Sequence, residues 1–449
     1  MGAAPLLPDE EPGSRDVNAR VTRWLQTAPE AVFAVFAIVA SFSTYFCMYA
    51  FRRPFTAAGY AGYASFFGSE VKLKILYVVS QVIGYTLSKF LGIKVVSEAT
   101  AAGRARAIAL LIAASWFALL LFAVIPAPWN AMAMFLNGIP LGMVWGLVFG
   151  FLEGRRLTEV LGAGLSASFI VASGVVKAVG VSLISAGVPE LWMPFVVGAF
   201  FLPPMLLFVW MLRVLPPPSA LDEQLRVKRE PMNAAARRQF LGRYLFGIVV
   251  LTLIYAVITA YRDFRDSFAV EIWSALGYAE QPSVLATTEL WIGFFILIVL
   301  AALYRIRSNR FAFLVVHGVM AFGGAMIGIA TWCHSAGYIS PVTWMTLIGF
   351  GLYLVYVPYN SMLFDRLIAA SGQIATAGFL IYVADAFGYL GSVGVMLFKN
   401  FGKPDLSWLE FFNDFSYVTA AIGTVTFGIS IVYFAARLKR GDASVPTQP

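Results

Sequence analysis

The sequence predicts an all-α integral membrane protein with twelve transmembrane helices arranged as two six-helix repeats. Three observations predict it: 60% hydrophobic against 12% charged residues, twelve apolar stretches of bilayer-spanning length, and a residue pattern that recurs half a chain later. With a mean hydropathy of +0.78, polar side chains are too few to cover an ordinary globule.

Stretches of about 20 apolar residues cross a hydrocarbon core. Here they lie near residues 30–54, 73–95, 105–126, 129–152, 161–186 and 191–214, then near 244–266, 284–305, 311–332, 342–364, 375–398 and 415–436. They are segments 1 to 12. Pro216, Pro217 and Pro218 end the sixth, and residues 216–243, with seven Lys/Arg once Arg213 is counted, read as a cytoplasmic linker. It joins an N-terminal half, 30–215, to a C-terminal half, 244–436. Residues 1–29 lack the basic start, apolar run and cleavage site of a signal peptide, so they read as a disordered cytoplasmic tail, with 437–449 as a second tail.

Short loops retained in the cytoplasm collect Lys and Arg. Lys94, Arg104 and Arg106, then Arg155 and Arg156, the linker, Arg305, Arg307 and Arg310, Arg366, and finally Arg437, Lys439 and Arg440 all fall on one side of the map. Both termini are therefore expected in the cytoplasm, with the chain multi-pass in the plasma or inner membrane. The net charge of +8 follows from this bias, and no soluble basic face is left for nucleic acid. Trp129, Trp192 and Trp344 stand near segment ends, as interfacial anchors do.

The two cysteines, Cys47 and Cys333, make neither a disulfide framework nor a metal motif. His317 and His334 have no Cys, Asp or Glu cluster around them. No metal, cofactor or enzymatic activity is expected, because the loops are too short to build a catalytic mouth. A monomer is expected.

Function is carried by charges stranded inside apolar segments: Arg52, Arg53, Lys89, Lys177, Arg262, Asp263, Arg265, Asp266, Glu289 and Asp385. Each costs a few kcal/mol in hydrocarbon, so it faces a partner or a watery pathway. Transport is the reading this favours. Tyr45, Tyr49 and Arg52 stand at i, i+4 and i+7 on one helical face, and arginine with tyrosine hydroxyls suits phosphate or carboxylate oxygens. In segment 7, Arg262, Arg265 and Asp266 share a face while Asp263 points elsewhere. Tyr353, Tyr356 and Tyr359 line one side of segment 10, and Tyr356 is taken as the substrate contact. The bland alternatives are that Arg52 and Arg53 snorkel to the interface and that the segment 7 charges form a solvated helix end.

The repeat is read within the chain. Gly164, Ala167, Ser168, Lys177 and Gly180 are matched at one constant offset by Gly372, Ala375, Thr376, Asp385 and Gly388, and in that frame Arg52 falls within two residues of Arg262. Small residues at these spacings let helices approach closely. Parallel six-helix repeats joined by a linker are the architecture of the major facilitator superfamily.

Within it, the chain resembles the organophosphate:phosphate antiporters. The stretch Tyr45, Tyr49, Arg52, Arg53 and Phe55, the run from Tyr85 to Phe90 that ends in Ser-Lys-Phe, Glu289 with Ser308-Asn309-Arg310, and the run from Phe387 to Gly391 are all similar to segments of that family. The resemblance implies a small organic anion, an organophosphate or a carboxylate, bound by Arg52, Tyr45, Tyr49, Tyr85, Lys89 and Arg262. It also implies that Arg53 pairs with Asp266 as an extracellular gate. In the facilitator fold segment 5 packs along segment 8 and segment 2 along segment 11, which would set Lys177 against Glu289 and Lys89 against Asp385. Lys89 or Lys177 reaching the anion directly, or Asp385 or Glu289 titrating to couple protons, stay open beside that pairing.

The antiporters' histidine in segment 5 is missing, with Ala172 near its position, and Ser97 and Glu98 stand where an Asp-Arg element is usual. These departures point to a divergent, bacterial branch. A latch rebuilt from Glu153, Arg155, Arg156 and Glu159 is the corresponding expectation, and an ordinary basic boundary loop is its alternative. A transporter-like receptor, binding the anion and signalling without moving it, remains as the second functional class.

Overall fold

The computed structural model describes residues 12–66, 69–98, 101–155, 157–219, 222, 234–371 and 377–438. Arg156, Gly372, Ala375, Thr376, Lys439 and Arg440 lie outside the described residues. Twelve long helices follow in order: α1 (Glu30–Arg52), α2 (Leu73–Glu98), α3 (Ala101–Val124), α4 (Ala131–Phe149), α5 (Thr158–Ser185), α6 (Met193–Arg213), α7 (Ala234–Ser267), α8 (Val284–Tyr304), α9 (Asn309–Ser335), α10 (Pro341–Ser361), α11 (Ala377–Leu397) and α12 (Trp408–Arg437). Eleven of them are long and apolar enough to cross a bilayer. The twelfth, α11, has Asp385 as its one charged residue. Helices satisfy their own backbone polar groups, which hydrocarbon requires of a spanning segment.

Helix ends follow local chemistry. Ser308, Ser340 and Ser407 cap α9, α10 and α12, each accepting a backbone N–H of the first turn, and Ser407 with Glu410 completes a capping box. Within the N-terminal half, α2 packs on α4 backbone to backbone, because Gly84 and Gly138 leave room: a methyl at Gly84 would overlap the Phe135 carbonyl, and one at Gly138 the Gln81 carbonyl. Across the halves, α2 runs beside α11 and α5 beside α8. Gly174 allows the second contact, since a methyl there would overlap the Leu285 carbonyl of α8.

Several features depart from the sequence reading. Residues Pro12–Thr27, expected as part of a disordered tail, form a helix whose Asn18 accepts from the Trp210 indole at 2.7 Å and whose Thr22 donates to the Val214 carbonyl at 2.9 Å. Helix α7 starts at Ala234, inside the stretch read as linker. Between α1 and α2 an antiparallel hairpin pairs Tyr63–Phe66 with Ser69–Lys72. No alternation of apolar and polar residues long enough to announce it is present. Trp129 is exposed, as an interfacial anchor would be, whereas Trp344 is fully buried and donates its indole N–H to Thr331. It packs the core of the C-terminal half. The end of the bundle that carries the hairpin is called here the hairpin face, and the opposite end the linker face.

Candidate functional site

The end of α1 places two adjacent arginines. The last carbonyls of a helix have no partner of their own, and here Asn137 donates to the Phe51 carbonyl at 3.0 Å and Gln81 to the Arg52 carbonyl at 2.9 Å. Gln81 also donates to Asn137 at 2.7 Å, and Asn137 to the Ser115 hydroxyl at 2.6 Å. Three helices of the N-terminal half therefore hold the point from which Arg52 and Arg53 diverge. Gln81 and Asn137 were not singled out from sequence. Their signal was available, as amides inside apolar segments.

Arg52 is 1% exposed. Its guanidinium carbon lies 3.8 Å from the Tyr85 ring centroid, 5.9 Å from Tyr49 and 5.7 Å from Tyr389, so aromatic faces surround it. Its Nε–H has no acceptor, and among the described residues no carboxylate forms an ion pair with it. The snorkelling alternative fails for Arg52, because the side chain turns into the bundle.

From the other half, Arg262 of α7 lies over the Tyr356 ring at 4.2 Å and donates to the Tyr389 hydroxyl at 3.1 Å. Tyr389 itself packs against Tyr85 with centroids 4.7 Å apart. One tyrosine of α11 thus stands between the two arginines. Tyr45, Tyr49, Tyr85, Lys89, Arg262, Tyr356 and Asp385 line one shared cavity with Trp145, Phe169, Asn360 and Tyr389. The cavity measures about 20 Å³, room for a single water. An organic anion needs the halves to part.

Asp263 corrects the helical-face argument. It is buried and accepts from both Arg262 (3.1 Å) and Arg53 (2.8 Å) through Oδ1. An arginine side chain is long enough to reach its sequence neighbour, and the face of a helix does not constrain it. Toward the hairpin face, Arg53 Nε lies 2.8 Å from Asp266, and Arg53 also donates to Ser267. Lys177 of α5 lies 2.5 Å from the same Asp266 carboxylate, which further accepts from Ser173.

The expected pairing of Lys177 with Glu289 is not formed. Glu289 of α8 is taken by Arg265 at 2.6 Å, whose guanidinium also reaches the Met345 carbonyl. Helices α5 and α8 do pack together, but Asp266 stands nearer to Lys177 and Arg265 claims the glutamate. At the start of α2, Lys74 pairs with Glu271 and donates to the Thr56 carbonyl.

Toward the linker face, Lys89 lies 2.9 Å from Asp385. The other carboxylate oxygen accepts from the Tyr255 hydroxyl at 2.5 Å, and Asn360 donates to that hydroxyl. Arg155 donates to the carbonyls of Phe151 and Pro216 and covers the Phe33 ring at 4.8 Å. His317 is enclosed in the C-terminal half between the Phe313 carbonyl and Ser430. No group of three His, Cys, Asp or Glu that could hold a metal occurs among the described residues.

The family of unknown function DUF5690 matches residues 54–437. No curated protein matches the chain in sequence. In structure it is similar to a D-xylose–proton symporter, at a TM-score of 0.60 and 15% identity over 89% of this chain and 96% of that one. It is also similar to the xylose transporter of E. coli in its inward-open conformation, at 0.56 and 13% over 92% and 97%. A POT peptide transporter in complex with sulfate follows at 0.58 and 13% over 94% and 99%. Identities this low speak for the fold: twelve helices in the major facilitator arrangement.

Proposed function

We propose that this chain, which belongs to the DUF5690 family, is a secondary transporter that carries a small organic anion, an organophosphate or a carboxylate, by alternating access. The anion is held between Arg52 of α1 and Arg262 of α7, with Tyr45, Tyr49, Tyr85 and Tyr356 as neutral donors and Lys89 at its linker side. The observation that carries this reading is Arg52. A buried guanidinium ringed by tyrosines, with no carboxylate paired to it among the described residues, costs roughly 3–5 kcal/mol relative to a compensated one. A bound anion removes that cost.

The position of the two arginines suits alternating access, since each belongs to a different half and a ligand between them draws the halves together. Arg53 and Lys177 on Asp266 close the hairpin face, and Lys89 on Asp385 ties α2 to α11 nearer the linker face. By the distribution of Lys and Arg, the hairpin face is the outer one. Release on one face requires one of these sets to open while the other holds.

The test is counterflow. Proteoliposomes preloaded with an organophosphate or a dicarboxylate are expected to accumulate the same labelled anion and to ignore a neutral sugar. Binding of the anion without accumulation would turn the assignment to a receptor, and accumulation of the sugar alone would overturn the anion.

A further inference from the structure

The charges buried in the spanning helices do not balance. Arg52, Arg53, Lys74, Lys89, Lys177, Arg262 and Arg265 stand against Asp263, Asp266, Glu289, Asp385 and Glu271, the partner of Lys74, an excess of two positive charges. Two of the carboxylates are committed away from the shared cavity, Asp266 to Lys177 and Arg53 and Glu289 to Arg265, and Asp385, which lines the cavity, is paired with Lys89 and accepts from Tyr255.

Asp263 is different. It is fully buried, its Oδ1 is shared between Arg262 of its own helix and Arg53 of the other half, and its Oδ2 has no hydrogen-bond donor. A carboxylate with unused acceptor capacity thus lies on one of the two guanidiniums between which the anion is placed. It acts on Arg262 as a tethered anion of fixed charge. Any substrate that uses Arg262 must share it with this group or push it aside.

We propose that Asp263 is the specificity-determining residue of the site, a resident carboxylate that caps the negative charge the site accepts. The inference rests on the anion reading above. A ligand with two negative charges balances the buried set. A third negative charge would lie close to Asp263 in a medium that screens poorly, and is rejected. Neutralising Asp263 while keeping its shape raises the excess to three and admits the more highly charged ligand.

The experiment uses the purified full chain and reads ligand-induced thermal stabilisation, which reports affinity without requiring transport. The probes are butyrate, glutarate, glycerol 3-phosphate and tricarballylate at about pH 8, where carboxylates and phosphate esters are fully ionised. The unmodified protein is expected to bind the two dianions about tenfold or more tighter than tricarballylate. Asp263→Asn is expected to reverse that order, and Asp263→Ser, also neutral, serves where Asp263→Asn does not fold. Asp263→Asn combined with Arg53→Gln removes a cation and a carboxylate together, returns the excess to two positive charges, and is expected to restore the preference for dianions.

A neutral variant that keeps the order of the unmodified protein would overturn the role of Asp263 while leaving the anion site intact. A double variant that still prefers tricarballylate would do the same. Absence of stabilisation of the unmodified protein by all four anions would overturn the anion reading itself.

Discussion

Arg53 of α1 and Asp266 of α7 meet across the two halves, guanidinium Nε to carboxylate Oδ2 at 2.8 Å. The residue before Arg53 has no such partner among the described residues. Two adjacent side chains of one helix end are thus used in opposite ways: one ties the halves together, and the other is buried among the rings of Tyr49, Tyr85 and Tyr389 without an ion pair among the described residues. Their shared backbone is held by Gln81 and Asn137.

Loss of the Asp266 carboxylate should open the hairpin face. Asp266→Asn leaves Lys177 without its anion, while Arg53 keeps Asp263. In a background without Cys47 and Cys333, Met345→Cys reports on the small cavity that Lys177, Asp266 and Glu289 line. Asp266→Asn is expected to speed its modification by a water-soluble thiol reagent about tenfold, which corresponds to about 1.4 kcal/mol on the opening equilibrium. An unchanged rate would separate this cluster from closure.

Lys89 and Asp385 form a buried pair between α2 and α11. Removing Lys89 alone, as Lys89→Met, leaves the Asp385 carboxylate with the Tyr255 hydroxyl as its partner among the described residues, at an expected cost of about 3–5 kcal/mol. Combining it with Asp385→Leu should recover most of that loss. The double-mutant cycle in detergent unfolding is expected to give a coupling of at least about 1 kcal/mol. Additive losses would show that the pair does not join the halves.

The glycines divide sharply by what surrounds them. Gly84→Ala drives a methyl into the Phe135 carbonyl and forces α2 from α4, so a loss of about 1–3 kcal/mol or more is expected, with lower yield of folded protein. Gly318→Ala in α9 meets nothing within 4 Å and is expected to be neutral or to stabilise by about 0.4–1 kcal/mol, because alanine loses less backbone freedom. Thermal unfolding of the two variants side by side checks the contrast.

The spanning helices and the duplicated pattern were legible because both depend on runs of residues: hydrophobicity over about 20 positions sets a span, and a repeat carries its small residues along. Charge pairing was legible only in part. Lys89 meets Asp385, the pair expected from segment packing, and Arg53 meets Asp266, the pair that the family resemblance implied. Lys177 escaped that logic, since helix adjacency limits partners only to within the reach of a long side chain, and both Asp266 and Glu289 line the small cavity beside it. Asp263 was set aside by a helical-wheel argument that holds for Cβ directions but not for the far end of arginine. Tyr389 was quoted as part of a motif, yet its place between Arg52 and Arg262 depends on how α11 meets α2. The Pro12–Thr27 helix and the hairpin at 63–72 are short elements whose stability comes from docking, which local pattern does not carry.

The most direct test of the central claim is to measure counterflow and thermal stability together for the unmodified protein and Arg52→Gln. Arg52 is buried without an ion pair among the described residues, so its neutralisation is expected to leave stability unchanged or higher while abolishing anion counterflow, the signature of a charge kept for a ligand at the expense of the fold. Undiminished counterflow in a folded Arg52→Gln protein would contradict the account, and so would a variant that loses activity only because it unfolds.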